Sequence, residues 1–262
     1  MKPVFSFKRG ETPLLVSVPH SGVNLPAAMR DRLTPEARQV PDTDWFVDRL
    51  YGWATGLGAG LLVANYSRYV IDLNRPPDNA ALYAASGTGL LPEQTFGGAS
   101  LYIAGSEPDK AEAKQRLNEY WKPYHEKLAA ELQQLKQRFG FAILLDAHSI
   151  RNEVPMLFEG RLPDLNLGSY RGVSADPRLI AASVAALNID PVYSAVLDGR
   201  FQGGYITRHY GQPGNDIHAL QLEMAQSVYM QEKPPVYDPA LAAKIQSVLR
   251  GFIAQLLQWS PA

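Results

Sequence analysis

Two histidines in this chain each follow a short apolar run, an arrangement that could bind a metal ion. One run, at 14–18, precedes His20, and a second, at 141–145, precedes Asp146 and His148. Both runs are too short for helices and predict buried strands. Sites in open α/β sheets lie at the carboxyl ends of the strands, so both imidazoles are candidate ligands. A hydrogen-bonded core histidine is the alternative for either residue alone.

A third ligand is needed, because a catalytic zinc site takes three protein ligands and leaves one position for water. The chain has no cysteine, so the ligands must be His, Asp or Glu. Asp44 is the first choice and Asp42 the second, although either could instead cap a helix. Asp146 lies two residues before His148, on the same strand face, and could orient an imidazole. A turn residue at the strand end is its alternative role.

Glu223 is the candidate for moving a proton in a hydrolytic reaction. It lies near the end of a predicted strand and has apolar neighbours. Partial burial would raise the pKa of its carboxyl group, which suits a general base that later acts as an acid. A structural ion pair is the alternative.

Arginines supply the candidate groups for binding an anionic substrate. Arg68 and Arg75 bracket a short apolar run, and Asn74 precedes the second of them. A guanidinium group can bind a carboxylate through two hydrogen bonds, and another could stabilise an oxyanion. Two solvated arginines are the alternative. In the glycine-flanked segment 203–211, Arg208 or His209 could lie over a substrate, or the segment could simply form a turn.

The elements that must position these residues alternate between strands and helices. Predicted strands are 14–18, 60–65, 69–73, 141–145, 155–158, 193–197 and 218–223. Predicted helices are 45–59, 107–139, 176–187 and 239–259; Ser106 and Gly140 flank the second, and Pro123 should kink or split it. The alternation indicates a mostly parallel sheet covered by helices on both faces. Segments 76–105 and 198–217 are predicted to be long loops.

Composition narrows the class of protein. The chain has 262 residues, of which 46% are hydrophobic, and this length suits one α/β domain spanning 1–262. The net charge is −1 without a basic run, which argues against a nucleic-acid surface. We find neither an apolar signal-peptide region nor an apolar stretch of the ~20 residues that span a bilayer, so we expect a cytoplasmic protein without a membrane partner. The oligomeric state stays open.

Six short segments together resemble the N-formylglutamate amidohydrolase (N-formylglutamate deformylase) family. They are Val-Pro-His-Ser-Gly at 18–22, Asp-Thr-Asp-Trp at 42–45, Asp-Leu-Asn-Arg at 72–75, Leu-Asp-Ala-His-Ser at 145–149, Gly-Gly-Tyr-Ile-Thr-Arg-His at 203–209 and Gln-Leu-Glu-Met at 221–224. Any one of them is a weak signal, but all six occur in the order of the family and cover most of the chain.

The resemblance implies a fold and a metal. That family is related to zinc carboxypeptidases and aspartoacylase, which implies a three-layer α/β/α fold of the zinc-carboxypeptidase (phosphorylase/hydrolase-like) type. It implies one Zn²⁺ on His20 and His148. Carboxypeptidases place an acidic ligand three residues after the first histidine, whereas this chain has Val23 there. The acidic ligand must therefore come from further along the chain, and Asp44 is expected.

The resemblance also implies roles and a reaction. Asn74 and Arg75 would bind a substrate carboxylate, Arg68 would face the oxyanion, and Glu223 would be general base and acid. Arg75 is expected on the α-carboxylate and Arg208 on the side chain. The implied reaction is hydrolysis of N-formyl-L-glutamate to formate and L-glutamate, in histidine degradation. Hydrolysis of another N-acyl amino acid or short peptide is an alternative, as is metal or metabolite binding without turnover.

Overall fold

A computed structural model describes residues 2–80 and 89–261 of the chain. Its strands are β1 (Phe5–Lys8), β2 (Leu14–Val18), β3 (Gly60–Ala64), β4 (Ala142–Ile150), β5 (Leu165–Gly168), β6 (Ala195–Leu197), β7 (Ile217–Ala225), β8 (Met230–Gln231) and β9 (Val236–Tyr237). Its α-helices are α1 (Ala27–Arg30), α2 (Val47–Tyr51), α3 (Lys110–Arg116), α4 (Lys122–Phe139), α5 (Pro177–Leu187), α6 (Tyr205–Tyr210) and α7 (Pro239–Gln258).

Seven strands form one mixed sheet in the order β1-β3-β2-β4-β7-β5-β6. Strands β3, β2, β4 and β7 are mutually parallel, and β5 and β6 are parallel to each other. Strand β1 is antiparallel to β3, and β5 is antiparallel to β7. The central pair, β4 and β7, runs in register for nine residues, from Ala142 opposite Ile217 to Ile150 opposite Ala225. The predicted mostly parallel mixed sheet is confirmed.

Helices cover both faces of this sheet. Residues 14, 16 and 18 of β2 and 143, 145 and 147 of β4 belong to a core that contains the buried sides of α2, α5 and α7. The alternate residues, 15 on β2 and 142 and 144 on β4, belong to a second core with α1, α4 and α6. Successive side chains of a strand point to opposite faces of the sheet, so each strand contributes to both cores. The three-layer α/β/α arrangement is therefore confirmed.

Polar residues interrupt the second of these cores towards the carboxyl ends of the central strands. Ser17, Asp146, His148, Gln221 and Glu223 occupy the positions on that face where the pattern of apolar residues ends, and all five are buried. Buried polar groups need partners, so this edge of the sheet must contain a hydrogen-bonded or ligand-binding cluster.

Several predicted strands differ from the structure. The predicted strand 141–145 continues to Ile150, so Asp146 and His148 lie within β4 and not after it. The predictions at 69–73 and 155–158 are wrong: Val70 N–H donates to Ser67 O, and Leu157 N–H donates to Val154 O, which closes turns. Short apolar runs indicate burial, but at 69–73 a loop buries the residues instead of a sheet, and 155–158 is only partly buried. Strands β1, β5, β8 and β9 were missed.

The predicted helices 45–59 and 107–139 are each divided. The first is α2 followed by a 3₁₀ helix at Gly52–Leu57. The second begins after Asp109, whose side chain caps it in place of Ser106, and has a π-helical turn at Leu117–Trp121 between α3 and α4. That turn ends two residues before Pro123, which has no N–H for the usual helical bond and whose ring would crowd the preceding turn. The predicted interruption at Pro123 is thus confirmed.

The remaining two predicted helices, 176–187 and 239–259, are confirmed as α5 and α7. Asp176 and Asp238 cap α5 and α7, and Gly140 ends α4 with a φ of 85°. Of the two predicted loops, 198–217 contains α6 and a 3₁₀ helix at Pro213–Asn215, and part of 76–105, namely 81–88, lies outside the described residues.

Helix α7 is long and apolar enough, by length and composition, to cross a membrane, which the sequence analysis did not anticipate. Seven of its residues, however, are buried in the core that α7 shares with α2 and α5. Because the core helix of a globular protein meets the same test, this finding alone does not indicate a membrane span.

Candidate metal centre and active site

Three predicted ligands lie together at the carboxyl edge of the sheet. One donor atom from each of His20, Asp44 and His148 lies within 4.8 Å of the other two, and all three side chains are buried. The Asp44 Oδ2 atom is 3.0 Å from His148 Nδ1 and 3.8 Å from His20 Nδ1. Strands β2 and β4 are adjacent and parallel, which brings His20, just after β2, next to His148 in β4. Residues 128 positions apart in the sequence thus become neighbours.

Asp44 is held by its backbone and its carboxylate together. Its N–H donates to His20 O, and its Oδ2 accepts a hydrogen bond from Ser149 N–H. Phe46, and not Asp44, occupies the position before α2, so the capping alternative is not realised.

Asp42, the second choice for the acidic ligand, has partners other than the two histidines. Its Oδ2 accepts hydrogen bonds from Tyr69 Oη at 2.6 Å and from Phe96 N–H at 2.7 Å. Asp42 therefore anchors the backbone at Phe96, which lines the cavity described below, and does not belong to the three-ligand group.

Each histidine of the centre is oriented by a carboxylate on its far side. His20 Nε2 is 2.8 Å from Asp72 Oδ1, and His148 Nε2 is 2.9 Å from Asp146 Oδ2. Both Nδ1 atoms consequently face Asp44. Carboxylates that accept from the outer nitrogen fix the tautomer in which the inner nitrogen is free to bind a metal. The orienting role was anticipated for Asp146 but missed for Asp72.

The charges around the centre are predominantly negative. Despite burial, which acts in the opposite direction, Arg68 and His20 hold the pKa of the Asp72 carboxyl well below its ordinary value. Burial and the neighbouring Arg68 lower the pKa of His20, whereas Asp146 and Asp44 outweigh burial and raise that of His148. Three carboxylates around two imidazoles and one guanidinium form an environment that favours an added cation.

Glu223 lies beside His148, because the two residues are directly opposite each other on β7 and β4. Burial raises the pKa of Glu223 to about 8, with a further contribution from the Asp44 carboxylate. Gln221, which the sequence analysis did not single out, donates from Nε2 to Glu223 Oε2 at 3.4 Å. The signal for Gln221 was its spacing of two residues from Glu223, which places both on one strand face.

The Arg68 side chain is buried against the centre. Its Nη2 donates to Asp72 Oδ2 at 2.7 Å, its Nη1 is 3.7 Å from Asp44 Oδ1, and its guanidinium group lies 4.9 Å from the centre of the Phe96 ring. The Nε atom of Arg68 is buried without a hydrogen-bond partner among the described residues.

Asn74 and Arg75 also line the site, in different ways. Asn74 Oδ1 accepts from Ile206 N–H, and Asn74 Nδ2 is 3.3 Å from Asp146 Oδ2 and 3.1 Å from His148 Nε2. Its amide is thus engaged with protein groups, contrary to the expected grip on a substrate carboxylate. Arg75 donates from Nη1 to Asn74 O and forms part of the cavity wall.

The expectation that Arg208 and His209 lie over a substrate is not supported. Neither belongs to the wall of the cavity formed by the described residues. Both lie in α6: Arg208 donates from Nε to Gly203 O and stacks on Tyr170, and His209 stacks on Tyr205. The glycines that suggested an open loop instead precede a helix, which commits both side chains to neighbours within the protein.

The three candidate ligands share one cavity with Glu223, Gln221, Arg68, Asn74 and Arg75, and its volume is about 500 Å³, including its open mouth. Its polar wall contains the three candidate ligands, Arg68, Arg75 and Glu223. Its apolar wall, which the sequence analysis missed, consists of Phe96, Ile150, Leu157 and Phe201. Of these, only Ile150 had a sequence signal, since it follows His148 by two residues on β4.

Comparisons with known proteins identify the family of this chain. Residues 12–230 match the sequence model of the family described as N-formylglutamate amidohydrolase. An N-formylglutamate deformylase of Pseudomonas aeruginosa is 51% identical over 99% of this chain and 98% of its own length. One of Pseudomonas putida is 50% identical over 99% and 97%. The solved N-formylglutamate amidohydrolase of Ralstonia eutropha superposes with a TM-score of 0.82 at 25% identity, covering 97% of this chain and 96% of that one. The chain therefore belongs to the N-formylglutamate amidohydrolase family.

Proposed function

We propose that this protein hydrolyses N-formyl-L-glutamate to formate and L-glutamate with one zinc ion held by His20, Asp44 and His148. The observation that carries the proposal is that three convergent donor atoms and a buried glutamate line one cavity. The names of the two Pseudomonas relatives, which align over nearly the whole chain, support the substrate.

The residues present fit a zinc ion. His20 Nδ1 is buried and has no hydrogen-bond partner among the described residues, an arrangement that is costly unless a ligand satisfies it. Two imidazoles and one carboxylate are a donor set found in catalytic zinc sites. Asp72 and Asp146 hold the imidazoles so that both Nδ1 atoms face the same point. When bound there, zinc would lower the pKa of a water molecule towards ~7 and polarise the formyl oxygen.

In the proposed mechanism, Glu223 carries the proton through the reaction. Its carboxylate takes a proton from the attacking water and then donates it to the leaving amide nitrogen. A pKa raised to about 8 by burial suits this exchange, because both protonation states are accessible near neutral pH. Gln221 keeps the carboxylate in place from the same strand.

In this proposal, two arginines bind the negative charges of the substrate and of the transition state. We place Arg68 at the oxygen that gains charge, since it is buried beside Asp44 and its Nε has no partner among the described residues. We place Arg75 at a substrate carboxylate, since it lines the cavity. Asn74 is assigned to holding Asp146, to which its Nδ2 donates, and Arg208 and His209 are left out of the proposed site.

The wider setting is also proposed. We infer that the reaction serves histidine degradation in the cytoplasm, on the strength of the near-complete alignment with bacterial deformylases. The assignment of residues 1–262 to a single amidohydrolase domain stays a prediction.

The experiment combines metal analysis of the purified protein with rates on N-formyl-, N-acetyl- and N-succinyl-L-glutamate. About one zinc per chain and a clear preference for the formyl compound are expected. Preference for a bulkier acyl group would transfer the assignment to another N-acyl amino acid. Stable metal binding with no turnover on any of them would indicate a binding protein.

A further inference from the structure

The segment 72–75 supplies three groups to the proposed site but has no regular secondary structure. Asp72 orients His20, Asn74 contacts Asp146, and Arg75 lines the cavity. Outside a helix or sheet, the backbone carbonyls of such a segment need donors from elsewhere. What holds these carbonyls therefore determines how well the site is arranged.

Two side chains of one helical turn satisfy alternate carbonyls of this segment. His125 Nε2 is 2.9 Å from Leu73 O, and Trp121 Nε1 donates to Arg75 O at 3.0 Å. Trp121 is the last residue of the π-helical turn, and His125 follows four residues later in α4. The two rings stack with their centres 3.7 Å apart, so each holds the other in position for its bond.

His125 is committed to one tautomer. Leu73 O can only accept, so Nε2 carries the hydrogen of that bond, and the other ring nitrogen, Nδ1, lies 3.0 Å from Tyr210 Oη. The imidazole is neutral, because burial lowers its pKa to about 3. We call Trp121, His125, Tyr205 and Tyr210 the aromatic junction.

The aromatic junction also reaches Asn74 from the opposite direction. Tyr205 and Tyr210 belong to α6, the helix in which Ile206 N–H donates to Asn74 Oδ1. At the adjoining Gly204 a Cβ atom would overlap the Asn74 side chain, so the two segments are in direct contact. Helices α4 and α6 thus hold the segment 72–75 between them. His125, which belongs to α4, contacts both the segment and α6.

We propose that His125 is a positioning residue for the active site, acting through its hydrogen bond to Leu73 O. The proposal rests on the proposed function only in assigning a metal to the centre. His125 touches neither the candidate ligands nor the cavity wall among the described residues, so its effect is transmitted by the segment 72–75.

The test compares His125→Phe with His125→Gln. Phenylalanine can keep the stack on Trp121 but removes the donor, whereas the glutamine amide can place a donor near the former Nε2. The control is His218→Phe, which replaces an equally buried histidine that accepts from Asp176 N–H beside Trp259, away from the site.

The first measurement is hydrogen exchange of the metal-free protein at the amides of Asn74 and Arg75, which donate to Asp72. Loss of a buried partner predicts about tenfold faster exchange in His125→Phe. The second is Zn²⁺ affinity by chelator competition, expected to weaken roughly tenfold, the lower end for groups outside the ligand shell. His125→Gln should lie within about threefold of wild type in both measurements, by the same estimate.

Unchanged exchange in folded His125→Phe, or His125→Gln as impaired as His125→Phe, would overturn the inference. Equal acceleration of these amides in His218→Phe would do so too, since it would indicate only general destabilisation. A wild-type protein that binds no zinc and releases no formate would refute the proposed function instead, and the exchange measurement would still test the role of His125.

Discussion

His148 and His125 are both almost completely buried, yet their surroundings give them opposite properties. His148 lies between Asp44 and Asp146, and these carboxylates raise its pKa well above the ordinary value in spite of burial. His125 has a carbonyl and a tyrosine hydroxyl as partners, and burial lowers its pKa to about 3. The difference shows that, for two histidines of similar burial, the charged partners decide the direction in which the pKa shifts.

The strongest test of the carboxylate-rich region is Glu223→Gln. It removes the group that would carry the proton while keeping its shape, so formate release should fall by roughly two or more orders of magnitude. Zinc content should stay near that of the wild type, because Glu223 is not one of the three candidate ligands. Steady-state rates and metal analysis of the same preparation check both parts.

Glu131→Gln is the matched control for this variant. Glu131 is also a buried glutamate, but it lies in α4 and pairs with Lys127. Near wild-type activity in Glu131→Gln together with a large loss in Glu223→Gln would place the effect at the site. Wild-type turnover in Glu223→Gln would refute the proposed proton transfer.

A second test removes a carboxylate that orients one of the candidate metal ligands. In Asp72→Asn, His20 loses the carboxylate that orients it, and zinc affinity should weaken by roughly 10- to 100-fold. Asp42→Asn serves as the control, since Asp42 is also a buried aspartate but bonds to Tyr69 and Phe96. Chelator competition on variants with native circular dichroism is the measurement. Equal affinities of the two variants would remove Asp72 from the metal centre.

A third test addresses His125 through the pH dependence of stability. Its pKa of about 3 in the folded chain lies below the ordinary 6.5, so below pH 6.5 the unfolded chain binds a proton that the folded chain does not. Its contribution to the free energy of unfolding therefore falls as the pH drops from about 6.5 towards 3. Between pH 7 and 5 the loss is about 2 kcal/mol.

Urea unfolding of metal-free wild type and His125→Gln at pH 7 and pH 5 measures this contribution. The variant lacks the titrating group, so its stability should decrease by about 2 kcal/mol less than that of the wild type over the interval. Parallel decreases in the two proteins would show that His125 is not held neutral by burial.

Much of the scaffold was predictable, because it depends on local patterns. The apolar runs of β2, β4 and β7 predict a parallel sheet, whatever the positions of the other elements. A site at the carboxyl edge of that sheet follows from this arrangement. His20, His148 and Glu223 could therefore be selected without coordinates. A run of the same kind at 69–73 misled the prediction, because burial in a loop leaves the same apolar pattern in the sequence as burial in a strand.

The sequence alone determined which residue types lie at the ends of the central strands, because the apolar periodicity that predicts a buried strand is visible within a short stretch of sequence. Only the tertiary structure decided the partner of each polar atom. Asp72 faces His20, Asn74 turns inwards, Asp42 holds Phe96, and α6 keeps Arg208 outside the cavity wall. Such pairings depend on which distant loops pack together, and hydrogen bonds form or fail over a few tenths of an ångström, a precision that residue spacing does not contain.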